Sequence, residues 1–342
     1  MRYPAPLPAG GTIGFVAPSF GIAMEPYQTA FASAVEKFRA MGYGLWFGPN
    51  VYKGDGIGRS TDAESCGREL NQAWETEDCQ MLLACGGGEL MCEDLPYIDW
   101  ERMQAAPAKW YCGYSDNTNF TFLLATLADT ASLYGPCAPA FGMEPWHPAI
   151  QDAFRLLTGQ ADTFQNYPLW ERESLKDEDH PLVPYHVTEP FQLRYYNADG
   201  AAGVRLSGRL LGGCIDCLSN LVGTKYDQVQ AFNDRYGEEG ILWFLESCDL
   251  TPMSLRRAVW QMGEAGWFDR AAGFLVGRPW QYGAEQMGLA MDTALQPLMD
   301  TGLPVICDLD IGHLPPQMPM VSGGTAQFTA KGNRATITYT WD

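Results

Sequence analysis

Basic residues are scarce in this 342-residue chain: 22 Lys and Arg stand against 41 Asp and Glu, a formal charge of -19. A phosphate backbone would be repelled over most of such a surface, which argues against nucleic acid as a partner. Long apolar runs are missing as well. None reaches the roughly 18 residues of a membrane span, and the opening Met1-Arg-Tyr-Pro-Ala-Pro-Leu-Pro has no apolar signal core. The expectation is a soluble, cytoplasmic protein without a membrane partner. The glycine run Gly86-Gly-Gly lacks both a G-K-[ST] continuation and a full G-x-G-x-x-G pattern, so it is a weak nucleotide fingerprint. Histidine is limited to four residues, His147, His180, His186 and His313, which narrows the search for an acid–base group. The ten cysteines are scattered, and most lie in apolar strands, where a thiol behaves as a small hydrophobe. Their one close pair, Cys214-Ile-Asp-Cys217, has no second pair or neighbouring histidine, so it signals zinc or redox chemistry only weakly.

What the chain does have is an ordinary globular composition, 46% hydrophobic and 18% charged, over a length that suits two domains. Gly11 to Ser19 reads as a buried strand ended by a Pro-Ser turn. Tyr27, Phe31, Val35 and Phe38 then recur at helical spacing, and Gly42 is placed to end that helix. A short apolar piece at Leu45-Trp-Phe precedes a helix from about Asp62 to Trp74, and the strand Cys79 to Ala84 runs into the glycine run. Another crossover leads to the strand Trp110-Tyr-Cys-Gly, Ser115, and a helix from Asn117 to Leu127. Such alternation implies a parallel sheet covered by helices. Residues 1–160 are therefore expected to form one doubly wound domain and 161–204 a connector rich in aromatics, prolines and charge. Residues 205–342 should form a second domain, with strands at Gly240 to Glu246, Ala272 to Arg278 and Pro304 to Asp310. A helix is expected near Met287 to Leu298, and Thr325 to Trp341 alternates as a closing hairpin.

Gly86-Gly-Gly, Ser115, Glu246 and His313 each fall at the carboxyl end of an apolar strand, the edge at which open α/β sheets bind ligands. A serine after a strand is most often a helix cap, and a lone carboxylate or histidine has equally plain explanations. Together, however, a Ser, a Glu and a His are the three parts of a hydrolytic relay. Of the four histidines, only His313 directly follows a buried strand.

Several ordered motifs resemble the LD-carboxypeptidase family, and more closely its branch of microcin C self-immunity peptidases. They are Gly11-Thr-Ile-Gly-Phe-Val-Ala-Pro-Ser, Gly87-Gly88 with Leu95-Pro-Tyr-Ile-Asp99, Gly113-Tyr-Ser-Asp116 and Tyr134-Gly-Pro136 in the first half. In the second half, Gly208-Arg-Leu-Leu-Gly-Gly213, Leu221 to Tyr226, Phe244-Leu-Glu246, Arg256-Arg257 and Gly312-His313 complete the set. The resemblance implies an α/β fold with a Rossmann-like or flavodoxin-like N-terminal domain, a C-terminal mixed β/α domain and the active site between them. It implies Ser115 as nucleophile, His313 as general base and then acid, and Glu246 as its orienting carboxylate. The N–H of Asp116, with one from Gly87 or Gly88, would form the oxyanion hole. No metal or organic cofactor is implied, and a homodimer is.

The departures bear on substrate. Glu89-Leu90 follows Gly87-Gly88 where the cell-wall enzymes carry Tyr-Gly, and Cys214 stands where Asn is common. Phe164 to Glu173 resembles an aromatic stretch of the immunity branch, so that Tyr167 and Trp170 either help hold a nucleotide-like leaving group or pack the domain junction. The expected partner is a small peptide or peptidyl-nucleotide cleaved at an amide bond near its C-terminus. Release of terminal D-Ala from a muropeptide is the alternative within the same chemistry, and a protein that only sequesters its ligand is the alternative outside it.

Overall fold

Apolar residues every three or four positions draw the first helix onto the first strand. The computed structural model, which describes residues 1–341, places α1 at Tyr27–Ala40 with Ala30, Phe31, Ala34, Val35 and Phe38 buried. Phe31 meets Phe15 of β1 (Thr12–Val16) edge-on at 4.9 Å between ring centroids, an arrangement suited to two ring quadrupoles. Lys37 and Arg39 lie in the last turn, where cations complement the helix dipole. Gly42 then turns the chain with a φ of 88°, a left-handed conformation that glycine adopts without a Cβ clash.

The chain divides into two units. The first comprises Met1–Ala161 with Glu173–His186; the second comprises Asp162–Arg172 and the chain from Val187 onward. The 161–204 stretch is thus shared between them. In the first unit β1 and α1 are followed by β2 (Gly44–Phe47), α2 (Ala63–Glu75), β3 (Met81–Ala84) and α3 (Trp100–Ala105). Next come β4 (Trp110–Gly113), α4 (Thr118–Thr126), β5 (Ser132–Tyr134) and α5 (Pro148–Leu157). Asp62 caps α2 by accepting from the Ser65 N–H.

The five strands pair in parallel in the order β5-β4-β3-β1-β2, a doubly wound, flavodoxin-like order. Its switch point lies between β1 and β3, so Ser19 after one strand and Gly86–Gly88 after the other share the ligand-binding edge.

The second unit begins with the short strands β6 (Thr163–Gln165), β7 (Leu169–Trp170), β8 (Glu189–Pro190) and β9 (Arg194–Tyr196). It continues with β10 (Val204–Cys214), α6 (Ile215–Leu221), α7 (Val229–Tyr236), β11 (Ile241–Glu246), α8 (Pro252–Glu264) and β12 (Ala271–Gly277). The remaining elements are β13 (Glu285–Gln286), β14 (Leu289–Ala290), α9 (Gln296–Met299), β15 (Val305–Leu309), β16 (Met320–Ser322), β17 (Thr325–Lys331) and β18 (Arg334–Thr340). Eight strands form one mixed sheet in the order β6-β18-β17-β10-β11-β12-β15-β9. At its centre β10, β11, β12 and β15 run parallel, so their carboxyl ends share one edge. β17 and β18 form the antiparallel closing hairpin.

The expected helix near Met287 to Leu298 is instead the hairpin β13–β14 followed by short helical turns. Met287 and Gly288 both take positive φ, 52° and 80°, which a helix cannot contain but a tight hairpin turn needs.

Gly142 packs against α1 so closely that an added Cβ would lie 1.8 Å from the Ala30 carbonyl oxygen. Gly142→Ala is therefore expected to lower stability by about 2–3 kcal/mol through overpacking, read as a reduced urea midpoint at unchanged slope.

Candidate active site

Strand β4 ends at Gly113, and two residues later Ser115 takes a φ of 64°. A left-handed conformation is uncommon for a residue with a Cβ, and strain of this kind persists only where the surroundings enforce it. The enforcing contacts are local. Ser115 donates its N–H to the Tyr134 hydroxyl at 3.1 Å, and a 3-10 turn over Ser115–Asn117 leads into α4. Asn117 donates its amide to the carbonyls of Gly86 (2.8 Å) and Tyr114 (3.0 Å), tying the glycine loop to the serine turn. A Cβ on Gly87 would sit 2.8 Å from Ser115 Cβ and 2.9 Å from its Oγ. Only a glycine lets the loop backbone pass so near the hydroxyl. Gly88 is equally confined, by Ser19 Oγ and the Gly58 carbonyl.

Asp116, next in sequence, is buried. Its carboxylate accepts from Ser19 Oγ (2.5 Å), the Met91 N–H (3.0 Å) and Asn119 Nδ2 (3.0 Å), joining three loops of the sheet edge. Burial raises its pKa against these hydrogen bonds. Asp94, in the segment after the glycine loop, is buried too, and its Oδ2 has no hydrogen-bond partner among the described residues. Desolvation, with the nearby Asp116 charge, pushes its pKa to about 9. Glu69 of α2 accepts from the N–H groups of Ala17 (2.7 Å) and Asn50 (2.9 Å), and burial pushes its pKa to about 7.

In the second unit, Cys214 and Glu246 are paired Cα partners at the ends of β10 and β11. Glu246 is 1% exposed and contacts His313 Nδ1 through Oε2 at 2.9 Å. Gly312 makes that approach possible: a Cβ there would lie 2.4 Å from Glu246 Oε2, and its φ is 97°. Burial opposes charge on the His313 ring, but the Glu246 carboxylate and a hydrogen bond with Cys248 outweigh it and raise its pKa well above the usual histidine value. Such a pair fixes the ring orientation and stabilises an imidazolium.

The loop carrying His313 is held by a buried ion pair. Arg278, at the end of β12, meets Asp310 at 2.5 Å, the two side chains being 1% and 0% exposed. The guanidinium also donates to the carbonyls of Asp308 (2.9 Å) and Leu314 (3.2 Å), gripping the chain on both sides of the histidine. Asp310 in turn accepts from the Tyr167 N–H at 2.8 Å, and Arg278 stacks 5.1 Å from the Trp170 ring centroid. Tyr167 and Trp170 are both buried, gathered at this ion pair.

Glu89 is exposed, with its side chain packed against Gly58. His147 caps α5 by accepting from the Ala149 N–H, and His180 and His186 belong to the exposed 173–186 segment. Asn117, Asp94 and the Arg278–Asp310 pair were missed by sequence reasoning. The signal for the last was available, since each charge directly follows an apolar strand.

A serine on a strained strand-to-helix turn and a buried carboxylate–imidazole pair are parts of the kind that serine hydrolases use. Residues 13–135 match the LD-carboxypeptidase N-terminal domain, and residues 207–328 match the LD-carboxypeptidase C-terminal domain. The chain belongs to the LD-carboxypeptidase family and is a serine-type carboxypeptidase. It is 26% identical over 339 residues to a putative carboxypeptidase of Vibrio cholerae, with 96% of each chain covered. It is 24% identical over 199 residues to the murein tetrapeptide carboxypeptidase of Pseudomonas aeruginosa, covering 58% of this chain and 55% of that one. Its fold is that of the microcin C7 self-immunity protein MccF, solved in complex with aspartyl sulfamoyl adenosine: TM-score 0.80 at 21% identity, over 99% of this chain and 98% of the other.

The buried acids make stability pH-dependent. Asp94 and Glu69 have pKa values raised from 3.8 to about 9 and from 4.5 to about 7. Between each unfolded and folded value the native state binds more protons than the unfolded one, so their contribution is full below about pH 4 and is lost as pH rises through the folded pKa. Asp94→Asn cannot ionise, and its melting temperature should fall less than that of the wild type between about pH 7 and about pH 9. An unchanged slope would show that Asp94 does not carry the effect.

Proposed function

We propose that the chain hydrolyses an amide bond near the C-terminus of a small peptide or peptidyl-nucleotide, with Ser115, His313 and Glu246 acting as one triad. The observation that carries this reading is the positive φ of Ser115, a strain that a mere helix cap does not need. His313, from its neutral form at a pH above its raised pKa, takes the Ser115 proton as Oγ attacks the scissile carbonyl, and Glu246 holds the ring through Nδ1 and stabilises the imidazolium. The tetrahedral oxyanion is received by the N–H of Asp116 with one from Gly87 or Gly88. Ser115 already donates its own N–H to Tyr134. Proton return from His313 expels the amine, and water then releases the acyl group by the same steps in reverse.

For the substrate, the whole-chain likeness to MccF supports an aminoacyl- or peptidyl-nucleotide. The murein tetrapeptide carboxypeptidase relative supports a muropeptide as the second reading. Glu89 and Cys214, where the cell-wall pattern is broken, favour the first.

Purified protein should turn over a peptidyl-aminoacyl-sulfamoyl adenosine, and Ser115→Ala should lower kcat about 10⁴-fold or more while still binding it. Turnover of a murein tetrapeptide alone would overturn the nucleotide reading, and full cellular protection by Ser115→Ala would point to sequestration instead. Glu246→Gln leaves the shape of the pair but not its charge, and its kcat should fall about 10⁴-fold with KM little changed.

A further inference from the structure

One feature of the Glu246–His313 pair has no part in the relay: the thiol beside it. Register places Cys214 next to Glu246 on adjacent parallel strands, and the turn after β15 adds His313. The Cys214 sulfur, a Glu246 carboxylate oxygen and a His313 ring nitrogen all lie within 4.8 Å of one another. Among the described residues no other group of three such donors comes together. Cys214 is 2% exposed, Glu246 1%, and the His313 side chain 11%.

We propose that Cys214, Glu246 and His313 form a Zn²⁺ site, filled in competition with the Glu246–His313 hydrogen bond. A tetrahedral zinc ion with bonds of about 2.0–2.3 Å holds its donors about 3.5 Å apart, so closure requires side-chain shifts of about 1 Å. One soft thiolate, one imidazole and one carboxylate suit zinc, whereas Mg²⁺ and Ca²⁺ require all-oxygen shells.

Charge favours the assembly. Zn²⁺ with one thiolate, one carboxylate and a neutral imidazole has no net charge, so nothing unpaired is left in a buried place. The ion displaces the thiol proton of Cys214 and one proton of the His313 imidazolium to solvent; the thiol proton is now directed at Asp216 Oδ2, 3.3 Å away. Once that proton has gone, the Asp216 carboxylate beside the thiolate is still solvated by the N–H groups of Cys248 (3.1 Å), Asp249 (2.7 Å) and Leu250 (3.1 Å). Three protein donors leave a fourth position for water or for Cys248, which is hydrogen-bonded to His313. Both the thiol and the ring must give up protons to the ion's approach, so zinc binding should tighten as pH rises.

Zinc so placed holds His313 as a ligand and withdraws it from proton transfer. That consequence rests on the triad reading above, whereas binding rests on the three donor atoms alone. The experiment is titration of reduced, metal-free wild-type protein with Zn²⁺ against a chromophoric chelator, with Co²⁺ used as a spectroscopic probe and turnover followed in parallel. One equivalent of Zn²⁺ should bind, Co²⁺ should give a thiolate-to-metal charge-transfer band, and turnover should fall in step with occupancy. Since losing an outer-shell partner already weakens such sites by 10–100-fold, Cys214→Ser should weaken binding by about 100-fold or more and abolish the band. Ser115→Ala should bind Zn²⁺ as the wild type does. Absence of saturable binding, a Co²⁺ spectrum without the thiolate band in folded wild type, or undiminished binding by Cys214→Ser would each overturn the site. Stoichiometric binding with turnover untouched would overturn the competition and count against His313 as the base.

Discussion

The contact on which the position of His313 depends is the ion pair between Arg278 and Asp310. It is fully desolvated, and breaking such a pair by removing one member typically costs about 3–5 kcal/mol because the remaining charge is stranded. Its value here is geometric. One guanidinium grips the chain at Asp308, Asp310 and Leu314 and so brackets His313, while Trp170 lies over its face and the Tyr167 amide closes on Asp310. A ring that must hold a hydrogen bond to Glu246 is thereby carried on a loop with little freedom. Tyr167 and Trp170 belong to the same support.

The first unit solves the matching problem by other means. A serine cannot hold a φ of 64° by propensity, so the turn is surrounded: Asn117 fastens it to the glycine loop and Tyr134 takes the Ser115 amide. Asp116 ties Ser19 and Met91 together behind it. The carboxyls of Asp94 and Glu69 thicken this buried polar layer, and their raised pKa values record how far from water the loops at the β1–β3 switch point are set. Both units thus use buried polar side chains to hold loops: Asp116, Glu69 and Asn117 in the first, the Arg278–Asp310 pair in the second.

Membership of the LD-carboxypeptidase family and the MccF-type fold account for these parts without fixing what is cleaved. Two residues singled out in the sequence, Glu89 and Cys214, have different characters. Glu89 is exposed on the glycine loop and can only alter what approaches it. Cys214 is buried beside the Glu246 carboxylate and changes the chemistry of the pair itself. A thiol there sets a soft sulfur and a further ionisable group beside the Glu246–His313 pair.

By itself, the sequence determined the order of β1, α1, β2, α2, β3, β4 and α4, though not β5 or α5, and the three strand ends that carry Ser115, Glu246 and His313. Burial periodicity and turn residues are local properties, readable within a window of a dozen residues. It misread Met287 to Leu298 because its apolar spacing suits a helix, while the two positive φ angles at Met287 and Gly288 that make it a hairpin turn are set by tertiary context. Only the tertiary structure decided that Cys214 stands next to Glu246, that Arg278 reaches Asp310 across 32 positions, and that Asp94 is buried near Asp116. Those pairings follow from strand register and loop packing, which depend on the whole sheet rather than on any one segment.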